Sequence, residues 1–236
     1  MASLDKLLAR NLGCSRAKAR KLIERNGSPP LEIPDGALPA PFDLDGRSVQ
    51  LYDQFHLMLN KPLGCVTALH DRTHATAVSY LRDAPLLGEL RPVGRLDLDT
   101  TGLLLWTTDG EIVHRLTHPK SAVRRTYHAA LARPFHRPPP DFALRDGHRP
   151  SIVALEPADE GAMHPSLACS PEATAFASLT LADGAYHEVR RIFAALGSHV
   201  VSLCRVAFGA VELPRELSPG TWLPVAAESL LPKSRE

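Results

Sequence analysis

The chain has 236 residues, room for one large domain or two small ones with their own cores. Its 27 basic and 26 acidic residues leave a net charge of +1, so total charge selects no partner and only its distribution can. No apolar run is long enough to cross a bilayer, the start MASLDK lacks the apolar core of a secretory signal, and Cys14, Cys65, Cys169 and Cys204 are too scattered for a disulfide framework or a zinc site, which predicts a reduced, cytoplasmic protein.

Residues 4–26, LDKLLARNLGCSRAKARKLIERN, predict two short helices. Leu4, Leu7 and Leu8 make the apolar face of the first; Ala19, Leu22 and Ile23 make that of the second. Gly13 ends the first helix and Ser15 is placed to cap the second. Seven basic side chains, Lys6, Arg10, Arg16, Lys18, Arg20, Lys21 and Arg25, against Asp5 and Glu24, give this segment a local charge of +5. Such a helix pair suits the phosphates of a nucleic acid, or is a plain solvated face. Residues 27–53 hold five of the chain's 21 prolines within 29–41 and read as loop and linker.

FHLMLNKP (55–62) opens a region of strands, followed by strand candidates at 103–108, 124–131, 151–155, 176–182 and 200–206. Helices are predicted at 75–82, 110–117 and 187–196. Four prolines in 134–140 predict an exposed loop over 134–150. Strands dominate and do not alternate strictly with helices. That is the pattern of an α+β fold with a mixed, mainly antiparallel sheet. The boundaries expected are a basic module over 1–50 and a larger domain over 52–236.

Within GRLDLDTTGLLLWTTDG (94–110), Asp97 and Asp99 stand one residue apart at the mouth of an apolar run, with Arg95 just before them. Asp97, Asp99 and Thr101 match a phosphatase-type DxDxT motif literally, in which the first aspartate attacks phosphorus and both help to hold magnesium. That motif follows a buried apolar strand, whereas ELRPVGR precedes it here. The eleven histidines show no metal-ligand spacing.

The same string closely resembles the motif that carries the nucleophilic aspartate of the pseudouridine synthases, in their RsuA-type branch. Three further segments resemble motifs of that branch, in the right order: LNKPLGCVT (59–67), RRTYHAAL (124–131) and DGAYHEVRRIFAALGSHVVSLCRVAFG (183–209). The N-terminal segment LDKLLARNLGCSRAKARKLI resembles the alpha-L RNA-binding module, without the strand pattern that usually ends it. The resemblance implies a pseudouridine synthase fold with a central cleft, and isomerisation of a uridine in ribosomal RNA without metal or cofactor.

Asp97 is then the carboxylate near the ribose, at C1′ or C2′. Arg190 is its basic partner, and the neighbouring Arg191 faces elsewhere. Tyr127 lies over the base and within reach of the C5 proton. Arg95 helps to displace the target nucleotide from its stack. Lys61 supports the aspartate loop or contacts RNA, Leu203 walls the base pocket or is ordinary core, and Lys6, Arg10, Arg16, Lys18, Arg20 and Lys21 meet the RNA backbone. Asp99 is read as a turn cap, and His187 is given no catalytic role. Tyr186 and His187, where large-subunit relatives more often carry asparagine and arginine, point to small-subunit (16S) RNA. The implied partner is ribosomal RNA or a subunit precursor, met by a monomer. A large-subunit enzyme and a silent RNA-binding assembly protein are the alternatives.

Overall fold

The structure is a computed structural model that describes residues 2–27, 32–33, 38–168 and 170–230. Helices α1 (Leu4–Asn11) and α2 (Arg16–Arg25) form as the apolar spacing predicts. Gly13, at φ +59°, makes the turn between them, and Ser15 caps α2 by accepting from the Lys18 backbone N–H at 3.2 Å. Leu4, Leu7, Leu8, Ala19 and Ile23 are buried together. Each such leucine contributes about 1.5–3 kcal/mol of burial.

Their core is closed by a hairpin that the proline-rich reading of 27–53 did not expect: β1 (Ala40–Leu44) and β2 (Arg47–Leu51), which add Phe42 and Leu51. The signal was there. Asp45 and Gly46 both sit at positive φ, +54° and +79°, and form the two-residue turn that an Asp-Gly pair favours. Ala2–Ser3 pairs with Glu32–Ile33; the rest of GSPPLEIPDG, apart from Gly27, lies outside the described residues.

The larger region is one nine-stranded sheet. Its strands are β3 (His56–Lys61), β4 (Arg91–Val93), β5 (Thr100–Thr107), β6 (Arg125–Leu131), β7 (Ile152–Ala158), β8 (Ala175–Leu181), β9 (Val200–Phe208), β10 (Val211–Glu212) and β11 (Trp222–Pro224). The order is β7-β8-β6-β9-β5-β3-β11, with β4 beside β5 and β10 beside β9. Only β5 and β9 run parallel; every other described pair in this sheet is antiparallel. The architecture is α+β with a mixed sheet, as expected.

Strand β5 is buried along its whole length because both faces of the sheet are covered there. Leu103 and Leu105 face one core with Ile112 and Leu116 of α3 (Gly110–Thr117), while Leu104 and Trp106 face another with Leu57 and Leu59. Helix α4 (Glu188–Ala195) packs Val189, Ile192 and Phe193 against a third core with Leu179 and Leu203.

Two expectations change. Residues 75–82 form no α-helix: Ala75–Thr76 bridges to Cys65–Val66, and Ala77–Tyr80 is a single 3-10 turn, its start held extended at Thr76. Thr76, Val78 and Ser79 favour no longer helix, through β-branching and hydroxyl competition with the backbone. The 134–150 segment has no helix or strand, but it is not simply exposed. Phe135 stacks edge-on against Phe193 with ring centres 5.4 Å apart, and Leu144 is buried, so the segment straps α4.

Candidate active site

The acidic turn leaves β4 and enters β5 at the junction of β5 with β9. Thr100 N–H donates to the Asp97 carbonyl at 3.2 Å, closing the turn. The segment 59–67 holds it from beneath. The Thr67 hydroxyl donates to the Leu96 carbonyl at 2.9 Å and accepts from the Leu96 N–H at 3.0 Å. Gly64 N–H donates to the Leu98 carbonyl at 3.0 Å. Lys61 is fully buried and its Nζ donates to the carbonyls of Thr100 at 2.8 Å and Pro62 at 3.0 Å. Burial pushes the Lys61 ammonium down, while Cys65, Asp97 and Asp99 favour its charged form. Of the two readings of Lys61, the structure leaves loop support. Its side chain presents no surface to solvent here.

Gly102 allows β5 to lie against β9. It sits at φ +101°, and a Cβ there would come within 2.3 Å of the Arg205 carbonyl. The close approach brings Leu203 opposite Thr100 and Arg205 opposite Gly102. On the other side of β9, Tyr127 of β6 lies in register with Arg205, beside a bulge at Thr126.

These elements enclose a cleft of about 380 Å³ lined by Arg95, Asp97, Tyr127, Arg190, Leu203 and Arg205, a size suited to a nucleotide. Five residues singled out in the sequence, on four separate segments, thus meet in one place. Their pairing differs from expectation. Arg190 turns to Asp99, Nη2 to Oδ2 at 2.8 Å, and also donates to the Val200 carbonyl at 3.2 Å. Asp97 instead has His187 Nε2 3.5 Å from Oδ1. Arg191 does face away, toward Asp146.

Sequence reasoning missed Arg205. It is fully buried, donates from Nε to the Leu103 carbonyl at 2.8 Å and from Nη1 to the Arg95 carbonyl at 3.4 Å, and lies 5.0 Å from the centre of the Phe208 ring. Burial pushes its guanidinium down, an effect opposed first by the adjacent Tyr127. Its Nη2 has no partner among the described residues. A charged residue inside the apolar strand VVSLCRVAF was the available signal.

The RNA pseudouridylate synthase family matches residues 55–195. The chain is 35% identical to ribosomal small subunit pseudouridine synthase A of Escherichia coli (strain K12), over 96% of this chain and 97% of the relative. It is 34% identical to the protein of the same name from Pasteurella multocida (strain Pm70), with the same coverage. This protein belongs to the pseudouridine synthases. A solved structure described as a pseudouridylate synthase is similar over 98% of both chains, at 30% identity and a TM-score of 0.59.

In this synthase the N-terminal basic residues fall into three groups. Arg10 is spent within the protein: Nε and Nη2 bond Glu89 at 2.9 and 2.8 Å, while Nη1 and Nη2 bond the Asp53 carboxylate and carbonyl at 2.7 Å. It staples α1 to the larger region, an internal use that the sequence reading did not foresee. Arg16 and Arg20 both bond Asp5 at 3.0 and 2.8 Å, with their side chains still largely exposed. The Ser3 hydroxyl, followed by Arg20, holds the Asp5 carboxyl well below the usual carboxylate range. Lys6, Lys18 and Lys21 are exposed, with no ion pair among the described residues. The synthase has no described helix long and apolar enough to cross a membrane.

Proposed function

We propose that this synthase converts one uridine of small-subunit (16S) ribosomal RNA to pseudouridine, acting as a cytoplasmic monomer on the RNA or on a subunit precursor. The observation that carries the reading is the meeting of Asp97, Tyr127, Leu203 and Arg190 in a single cleft, in a chain that aligns end to end with small-subunit enzymes. The reaction breaks the C1′–N1 bond, turns the uracil and forms C1′–C5. N1 gains a proton and C5 loses one, so the balance is redox-neutral and calls for no carrier.

Asp97 supplies the carboxylate at the ribose. Arg205 and Lys61 lie behind it and hold the backbone of its turn. Tyr127 covers the base and takes the C5 proton directly or through water. Leu203, on the neighbouring strand and the same sheet face as Tyr127, walls the base pocket beside it and keeps water from the sugar. Arg190 fixes Asp99 and the end of the turn, and Arg95 fills the stack vacated by the extruded base. The exposed lysines Lys6, Lys18 and Lys21, with the free edges of Arg16 and Arg20, bind backbone phosphates.

The test is incubation with unmodified 16S and 23S RNA, then mapping of pseudouridine by base-specific chemistry. One modified position in 16S RNA is expected, absent with Asp97→Asn. Modification confined to 23S RNA would move the assignment to the large subunit. RNA binding without any product would leave a silent binder.

A further inference from the structure

Tyr186 is the most exposed large apolar side chain described, at 78%, although it stands at the rim of a cleft built for a nucleobase. An aromatic ring left in water at such a place has no role in the core. Its ring lies flat on that of His187, centres 3.9 Å apart and planes within 16°. That backing leaves the other face of the tyrosine open.

The loop beneath is held in place. His187 occupies the left-handed region at φ +49°, a strained conformation for a non-glycine residue. Three contacts offset that strain. The buried Glu188 accepts from the Ala185 N–H at 2.9 Å through one oxygen and meets His148 Nε2 at 2.6 Å through the other. Arg191 donates to the Tyr186 carbonyl at 3.4 Å, and it is tied in turn to Asp146 of the strap over α4. The strap therefore positions the pair of rings. His187 Nε2 lies 3.5 Å from Asp97, so the platform stands directly beside the carboxylate that meets the ribose.

Extruding the target uridine leaves each neighbouring base with one unstacked face. Tyr127 and Leu203 line the pocket of the extruded base, so Tyr186 is free for a neighbour. We propose that Tyr186, backed by His187, is the stacking platform for a nucleotide next to the target uridine, and that this contact contributes to the choice of site. The inference rests on the proposed function, since it takes RNA as the substrate.

Stacking of a base on an aromatic side chain changes affinity by roughly 5- to 150-fold. The experiment is a double-mutant cycle. A short RNA hairpin carrying the site, and versions abasic at the 5′ or the 3′ neighbour, are bound and turned over by the wild-type protein, Tyr186→Ala and Tyr186→Phe. Tyr186→Ala is expected to weaken binding and raise KM by about 10-fold or more with kcat nearly unchanged, and Tyr186→Phe to restore both. On the hairpin abasic at the correct neighbour, wild type and Tyr186→Ala become equal, because the partner of the ring is gone. Additive losses on both abasic hairpins, or no change in Tyr186→Ala, would overturn the platform. A fall in kcat alone would overturn it too. These readings are separate from the function itself, which fails if the wild-type protein forms no pseudouridine or forms it only in 23S RNA.

Discussion

Two aspartates one residue apart have opposite surroundings. Asp97 lies in the cleft, half exposed, while Asp99 points to Arg190 with 62% of its side chain in solvent. An ion pair this exposed is worth about 1 kcal/mol at most. Asp97→Asn should therefore abolish pseudouridine formation with RNA affinity retained, while Asp99→Asn should lower the rate by about fivefold at most. Single-turnover assays on 16S RNA decide this; equal losses in the two variants would show that the Asp99–Arg190 pair belongs to the chemistry itself.

The acidic turn owes its shape to a neighbour remote in sequence and to the seam that follows it. Thr67 satisfies both backbone groups of Leu96 with a single hydroxyl. Thr67→Val keeps the volume but leaves a buried N–H and C=O unpaired, at a cost of about 2 kcal/mol. Activity should fall further than RNA binding, and urea melts with parallel binding isotherms measure both. The β5–β9 seam depends on Gly102. Alanine there meets the Arg205 backbone and an unfavourable φ together, so Gly102→Ala should destabilise the fold by about 3 kcal/mol. An unfolding midpoint equal to wild type would mean that the strands can part at little cost.

Across the whole molecule, charge divides into internal staples and free cations. Lys18→Ala combined with Lys21→Ala should reduce the salt slope of RNA binding by about two, with no change in melting. Arg10→Ala should do the reverse, lowering stability by about 1 kcal/mol and sparing the salt slope. A lowered slope in Arg10→Ala would restore Arg10 to the RNA surface. Histidines set the acid limit. Burial pushes His56, His128 and His164 below the usual imidazole range. His128 Nδ1 accepts from the His164 N–H at 2.9 Å, and His164 Nδ1 from the Ser166 N–H at 3.1 Å, which both require neutral rings. Below about pH 6.5 the unfolded chain binds more protons than the folded one. Stability is thus full above that pH and is lost as pH falls through the lower folded values. Unfolding midpoints between about pH 7.5 and 5 should drop. His128→Asn, whose Oδ1 replaces the Nδ1 acceptor, should shrink the drop; an identical profile would acquit His128.

Periodicity and local chemistry alone determined the helix pair with its caps, the central strand β5 and the sheet-dominated class, because each depends on neighbours within a few residues; the four ordered motifs were legible through their resemblance to the family. The Asp45-Gly46 hairpin was legible in the same way and went unread behind the prolines. Tertiary structure alone decided the partners of the charges. Arg190 and Asp99 lie 91 residues apart and Arg10 and Glu89 lie 79 apart, and no spacing rule reaches so far. The burial of Lys61, the place of Arg205 between Leu103 and Tyr127, and the meeting of His187 with Asp97 follow from the same cause. A charged side chain takes the partner that folding brings within reach, and at the cleft the parallel seam at Gly102 brings the acidic turn against Leu203 and Arg205.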